Sequence, residues 1–172
     1  MPSSYCHIAM HIVFSTRNRM RWLKGDLKTE MHHYMIGIIS NLNGTSIQIG
    51  GTEDHVHILC LMPKDLSLVE FMTKLKANSS KWFRQHSKLY FHWQDGYAAF
   101  SVSKSQIPSL VTYIKGQEEH HKHHSCEAEF EALLQKHLKV RPKGLIGCSF
   151  VTRVFEPAAL RTHRYVGVAL RG

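Results

Sequence analysis

The chain has 172 residues, 43% of them apolar, a formal charge of +9 and a pI of about 9.5. That length and composition predict a domain with a core of its own rather than a disordered segment. No apolar run approaches the roughly 18–20 residues of a membrane span, and the opening MPSSYCH does not read as a secretion signal.

The basic balance favours a polyanionic partner, with nucleic acid the usual one, over a merely basic protein. Four scattered cysteines (Cys6, Cys60, Cys126 and Cys148) form no C-x-x-C pair. They fit buried thiols in a reducing cytoplasm better than a disulfide or zinc framework.

Residues 5–15, YCHIAMHIVFS, are rich in β-formers and predict a strand. Ile8, Met10, Ile12 and Phe14 share one face and read as core. His7, Ala9, His11 and Val13 share the other, and its half-polar character turns it toward a site. Residues 16–24, TRNRMRWLK, form a basic loop with Arg17, Arg19, Arg21 and one aromatic, Trp22. Arginines beside an exposed aromatic suit phosphates and unstacked bases, although a solvated loop has the same composition. Asp26 is a plausible N-cap for a helix over residues 27–42, with Leu27, Met31, Tyr34/Met35, Ile38 and Leu42 at helical spacing and Asn43-Gly44 at its end.

Residues 45–49 predict a short strand that turns back through Gly50, Gly51 and Asp54 into a second strand over residues 55–62, ended by Pro63. Alternation puts His55 and His57 on one face, about 6.5–7 Å apart along the strand. A hairpin therefore presents two imidazoles near enough to bind one metal ion as neutral nitrogen ligands. Two half-buried histidines with ordinary hydrogen bonds would give the same short pattern.

Ser67-Leu68-Val69-Glu70 is a capping box, which starts a helix running to about residue 85 with Leu68, Phe71/Met72, Leu75 and Phe83 inward. Lys74, Lys81, Arg84 and Lys88 form one basic stripe on it, either a solvated face or a DNA contact. Residues 90–103 are aromatic and split by Asp95-Gly96, with a strand after Gly96. Tyr97, Ala99 and Ser101 lie on one side of that strand and Ala98, Phe100 and Val102 on the other. Pro108 suits the first turn of a helix over residues 107–121. Tyr113 and Gln117 are four apart and fall on one face of that helix, with Gly116 inside it.

The run of residues 120–124, HHKHH, reads as a solvated basic turn. Ser125 caps a last helix to about residue 137, with Phe130, Leu133 and Leu134 inward. From residue 139 the periodicity fades. The expected organisation is one domain over 1–138 and an irregular basic tail over 139–172, with no internal repeat. The element order fits an α+β fold whose antiparallel sheet, of about four to five strands, is backed by helices.

Four phrases then fall in order: Asp54-His55-Val56-His57; Leu66-Ser67-Leu68-x-Glu70 opening a helix; Trp93-Gln94-Asp95-Gly96-Tyr97 leading into a strand; and Tyr113-Ile114-x-x-Gln117-x-Glu119-His120-His121. Together they resemble the single-tyrosine HUH transposases, that is, the small insertion-sequence transposases and the REP-associated tyrosine transposases. The resemblance covers roughly residues 5–137. It implies a ferredoxin-like fold with the histidine motif on a central strand, and an enzyme that cuts and rejoins single-stranded DNA beside hairpins during transposition. It implies that His55, His57 and Gln117 hold Mg²⁺ or Mn²⁺, with Glu118, Glu119 and His121 as substitutes should Gln117 point away. It implies that Tyr113 attacks the phosphodiester and keeps a 5′-phosphotyrosine.

The expected partner is single-stranded DNA with hairpins, contacted by Arg17, Arg19, Arg21, Trp22, Lys74, Lys81 and Arg84. The expected assembly is a homodimer, or else a monomer, with Tyr113 serving its own histidines or its partner's. The expected location is the cytoplasm, nucleoid-associated when on DNA, with no membrane role.

The residues' own chemistry agrees. A cation bound to a phosphodiester oxygen neutralises developing charge, and two imidazoles with a neutral amide leave its charge uncancelled. Tyrosine, with a free pKa of about 10, needs a nearby cation or base to act as a nucleophile. A competing reading is a non-catalytic single-stranded or hairpin nucleic-acid-binding protein derived from a transposase. A two-histidine phosphoesterase would need paired motifs, one from each half of the fold, and the chain has one His-x-His strand with no matching second motif.

Overall fold

The computed structural model describes residues 5–120. Their elements are β1 (Ala9–Ser15), a 3-10 turn (Arg17–Arg19), α1 (Gly25–Asn41), β2 (Thr45–Gly51), β3 (His55–Leu61), α2 (Leu68–Ser87), β4 (Ala98–Val102), a 3-10 turn (Lys104–Gln106), α3 (Ile107–Lys115) and α4 (Gln117–His120). The strands form one antiparallel sheet in the order β2-β3-β1-β4. The architecture is the expected α+β one, with four strands and the His-x-His strand internal. The expected helix after Ser125, His121 and the tail over 139–172 lie outside the described residues.

The two faces of the sheet do different work. Ile12 and Phe14 of β1, Ile49 of β2 and Val56, Ile58 and Cys60 of β3 pack against Met31, Met35, Ile38 and Ile39 of α1 and Phe71, Met72, Leu75 and Phe83 of α2. Burying such side chains stabilises the fold by about 1.5–3 kcal/mol each relative to exposure. Alternation then sends His11, Val13 and Ser15 of β1 and His55, His57 and Leu59 of β3 to the opposite face. There α3 packs across β2 and touches β3.

The hairpin is shaped by glycine. Gly51 has φ +145° and pairs with Val56, which any side chain would strain.

Ser67 caps α2 as the sequence predicts: its side chain accepts from the Glu70 backbone, and Glu70 bonds back. Other expectations need correction. α1 starts at Gly25, so Asp26 sits in its first turn and Lys24, with no side-chain bond, is the N-cap. Ile8 precedes β1 and is half exposed, because the sheet and its helical cover begin only at Ala9. Cys60 is buried, and burial pushes its thiol up to about 12, but Cys6 is exposed. Among the described residues β1 is bonded on both sides, and β4 and β2 are the edges of the sheet. Among the described residues no helix is long and apolar enough to cross a membrane.

Candidate active site

His55 and His57 project together from β3, as alternation requires, with ring centroids 5.1 Å apart and both side chains fully buried. Each has its Nδ1 edge engaged. His55 Nδ1 lies 2.7 Å from Asp54 Oδ1 and 2.9 Å from Thr52 Oγ1. Arg19 donates to the other carboxylate oxygen of Asp54 through Nε at 3.1 Å and Nη2 at 2.7 Å. Burial alone would raise the Asp54 pKa, but the hydrogen bond and charge of His55 and those of Arg19 outweigh it and hold the carboxyl well below the usual range. An ionised carboxylate only accepts, so His55 Nδ1 donates to Asp54 Oδ1. His57 Nδ1 lies 3.0 Å from Nε2 of His11 on the neighbouring β1.

Tyr113 closes the group from α3. Its ring stands edge-on to His57 at 5.9 Å and to His11 at 6.5 Å between centroids, and it is half-buried. The structure thus brings Tyr113 to the histidines of its own chain.

The helix carrying Tyr113 departs from expectation. Gly116 takes φ −86° and ψ 8°, which ends α3, and Gln117 begins the separate short helix α4. Tyr113 and Gln117 therefore do not lie on one continuous helix. Gln117 is nonetheless buried, on a segment that packs against β2, while Glu118 and Glu119 are exposed. Glu118 pairs with Lys28 of α1.

Three segments build the rim beside His55. The Thr16 backbone N–H donates to Asp54 O, Arg17 N–H to His92 O, Leu23 N–H to Glu53 O and Gln94 N–H to Ser15 O. Asn18 N–H reaches Gln94 Oε1 at 3.2 Å. Lys76 ties the Trp93-to-Gly96 loop from behind, donating to the carbonyls of Gln94 and Gly96.

On this rim Arg17 and Arg21 are exposed, whereas the Arg19 guanidinium is bonded to Asp54. Trp22 is not an exposed platform. It is half-buried against the core, with its ring 5.3 Å from that of Phe91. Lys74, Lys81 and Arg84 lie on α2, behind the sheet relative to the imidazoles, and Arg84 donates to Phe91 O.

The sequence places His11 on a face turned toward a site and gives Asp54 and Gly50 turn roles, but assigns none of the three a contact with the paired histidines. Only His11 carried a signal, as a polar residue repeating at strand period on an otherwise apolar stretch.

Among the described residues no three His, Cys, Asp or Glu side chains form a metal-binding group. The residues that could hold a metal are His55 and His57 with the Gln117 amide, and its remaining ligands would come from water and substrate. Neutral imidazole nitrogens with their outer edges bonded and an amide oxygen are a donor set that fits Mn²⁺, and Mg²⁺ when substrate oxygens join.

The sequence matches the family model of IS200-like transposases over residues 4–117. Among solved structures, a candidate transposase from Deinococcus radiodurans R1 superposes with a TM-score of 0.54 at 18% identity, covering 68% of this chain and 96% of that one. A REP-associated tyrosine transposase bound to a REP hairpin does so with a TM-score of 0.53 at 17% identity, covering 70% and 73%. At such identities the likeness speaks for the fold. No curated protein matches the sequence.

Proposed function

The chain belongs to the IS200-like transposase family, and from that premise we propose that it cuts and rejoins single-stranded DNA by transesterification, with Tyr113 as nucleophile. The observation that carries the reading is the edge-on contact of the Tyr113 ring with His57, itself beside His55, within one chain. In the proposed reaction Tyr113 Oη bonds to the scissile phosphorus as the P–O3′ bond breaks. The phenolic proton leaves, the departing 3′ oxygen takes up a proton, and a 5′-phosphotyrosine remains. A 3′-hydroxyl of a second DNA end reverses these steps and rejoins the strand without an external energy source.

A divalent cation held by His55, His57 and Gln117 would neutralise charge on the phosphate oxygens. The residues of the chain do the rest. The Asp54–Arg19 pair orients His55, and α3 aims Tyr113.

DNA with hairpins is the proposed substrate. The neighbour bound to a REP hairpin, the charge of +9 and the exposed Arg17 and Arg21 on the rim support it. The α2 stripe would serve flanking DNA rather than the scissile strand. A homodimer of two such sites is the proposed assembly. Among the described residues β4 is an edge strand and β1 is not, which makes β4 the strand such pairing would use.

The test is a covalent DNA–protein adduct on a denaturing gel. It is expected with wild-type protein and Mn²⁺ or Mg²⁺, and expected to vanish in Tyr113→Phe and with EDTA. Hairpin binding without any adduct would replace this reading with that of a non-catalytic binding protein.

A further inference from the structure

His11 is a buried imidazole on β1 that the chemistry above does not use. In the ladder it stands opposite Leu59 of β3 and Phe100 of β4, and the β1 residue opposite His57 is Val13. Its ring nevertheless leans diagonally along the sheet to meet His57. The two rings are nearly parallel at 23°, with centroids 5.2 Å apart, and Nε2 of His11 lies 3.0 Å from Nδ1 of His57. The Phe100 ring at 6.2 Å and the Tyr113 ring at 6.5 Å enclose it from β4 and α3. Three elements therefore fix the orientation of one side chain.

Packing alone does not call for an imidazole here. The equivalent positions on the opposite face of the sheet are Ile, Phe and Val, and a leucine would fill this one without bringing polar atoms into it. An imidazole with its Nε2 edge toward His57 supplies an acceptor. A histidine that binds a cation through Nε2 must carry its proton on Nδ1, and that N–H needs an acceptor. His55 has the Asp54 carboxylate in this role. A second carboxylate beside His57 would bring another buried negative charge, whereas a neutral imidazole accepts without one.

We propose that His11 is a positioning residue: its Nε2 accepts the hydrogen bond from His57 Nδ1–H and holds the His57 Nε2 lone pair toward the cation. The assignment rests on the proposed metal-dependent function.

The test uses the full-length chain with His11→Leu and His11→Gln. Glutamine places an amide oxygen near the position of the lost Nε2, and leucine keeps the bulk alone. Circular dichroism melts establish that each variant is folded. Long-range ¹H–¹⁵N spectra of the metal-free protein should show His57 protonated at Nδ1 in the wild type and His11→Gln, and moved toward the Nε2–H form in His11→Leu. Mn²⁺ affinity should fall about 10–100-fold in His11→Leu and largely return in His11→Gln.

His57 in the Nε2–H form in the wild type would overturn the assignment. So would Mn²⁺ binding by His11→Leu at wild-type strength. If His57 shows the His11-dependent Nδ1–H form while the wild type binds no Mn²⁺, the positioning role stands and the metal-dependent reading fails. Should His11→Leu not fold, His11→Gln decides: loss of the Nδ1–H form with an amide acceptor in place also overturns it.

Discussion

Gly50 stands opposite His57 in the β2–β3 ladder, and a Cβ at position 50 would lie 2.4 Å from the Ile114 carbonyl oxygen. The missing side chain is what lets α3 rest directly on the strand next to the histidines, one residue after Tyr113. Its Cβ would also meet Ile114 Cγ2 at 2.8 Å, so no side-chain rotation relieves the clash. Gly50→Ala should destabilise the protein by about 1–3 kcal/mol in urea titrations. It should also reduce DNA cleavage more than DNA binding, because Tyr113 shifts away from His57. Wild-type stability together with wild-type cleavage would show that α3 does not need this close seat.

Arg19 separates positioning from DNA contact. It adopts φ 55°, a region that side chains disfavour, while its Nε and Nη2 both donate to Asp54. Arg19→Ala or Asp54→Asn should weaken Mn²⁺ binding by about 10–100-fold through the orientation of His55, with the salt dependence of DNA binding unchanged. Arg17→Ala and Arg21→Ala should do the reverse, each reducing the salt slope by about 1. A reduced salt slope in Arg19→Ala with normal metal affinity would assign that guanidinium to phosphate instead.

His32 on α1 gives a pH dependence. Burial, then the neighbouring charges of Lys28 and His33, lower its pKa to about 4, against a smaller raising effect of Glu118. Between pH 6.5 and 4 the unfolded chain binds the proton and the folded chain does not, so stability is full above about 6.5 and is lost as pH falls toward 4. The contribution is at most about 3 kcal/mol. His32→Leu should remove that part of the slope when melting temperatures of the two proteins are compared across this range. Parallel curves would refute it.

Lys28 and Glu118 bear on whether the tyrosine segment stays home. Glu118 is 70% exposed, and such a pair contributes about 0–1 kcal/mol. The Gly50 seat therefore holds the segment more firmly than this ion pair. We expect cis chemistry: a mixture of His57→Ala and Tyr113→Phe proteins, with subunits shown to exchange, should be as inactive as either parent. Recovered cleavage would mean that Tyr113 serves the partner's histidines.

Strand and capping patterns were legible because each is written in local chemistry. Alternation in β3 and the Ser67–Glu70 box each depend on a few adjacent residues, whereas Gly50 and Gly51, which read as the turn, are the last two residues of β2 and the chain turns over residues 52–54. The helix break at Gly116 was not legible, since a glycine near a helix end is compatible with either outcome until β2 is placed beneath it. Nor was the burial of Trp22, which depends on Phe91 arriving from far along the chain. The partners of His55 and His57 split the same way. Asp54 is adjacent in sequence but reads as a turn residue, and His11 reaches His57 only through strand pairing across 46 positions.

Every residue of β3 from His55 to Cys60 is buried, and they alternate between the hydrophobic core and the face that carries the imidazoles. That alternation constrains how copies of such a gene can decay. A one-residue insertion or deletion inside the strand exchanges its faces and removes fold and activity together, leaving nothing for selection to retain. Tyr113 is half-buried on a helix surface and can be lost with the fold intact. Under the proposed function, a lineage that keeps a DNA-binding body but abandons cutting would have its easiest route through codon 113, and the strand behind it is the part that must be inherited unchanged in length.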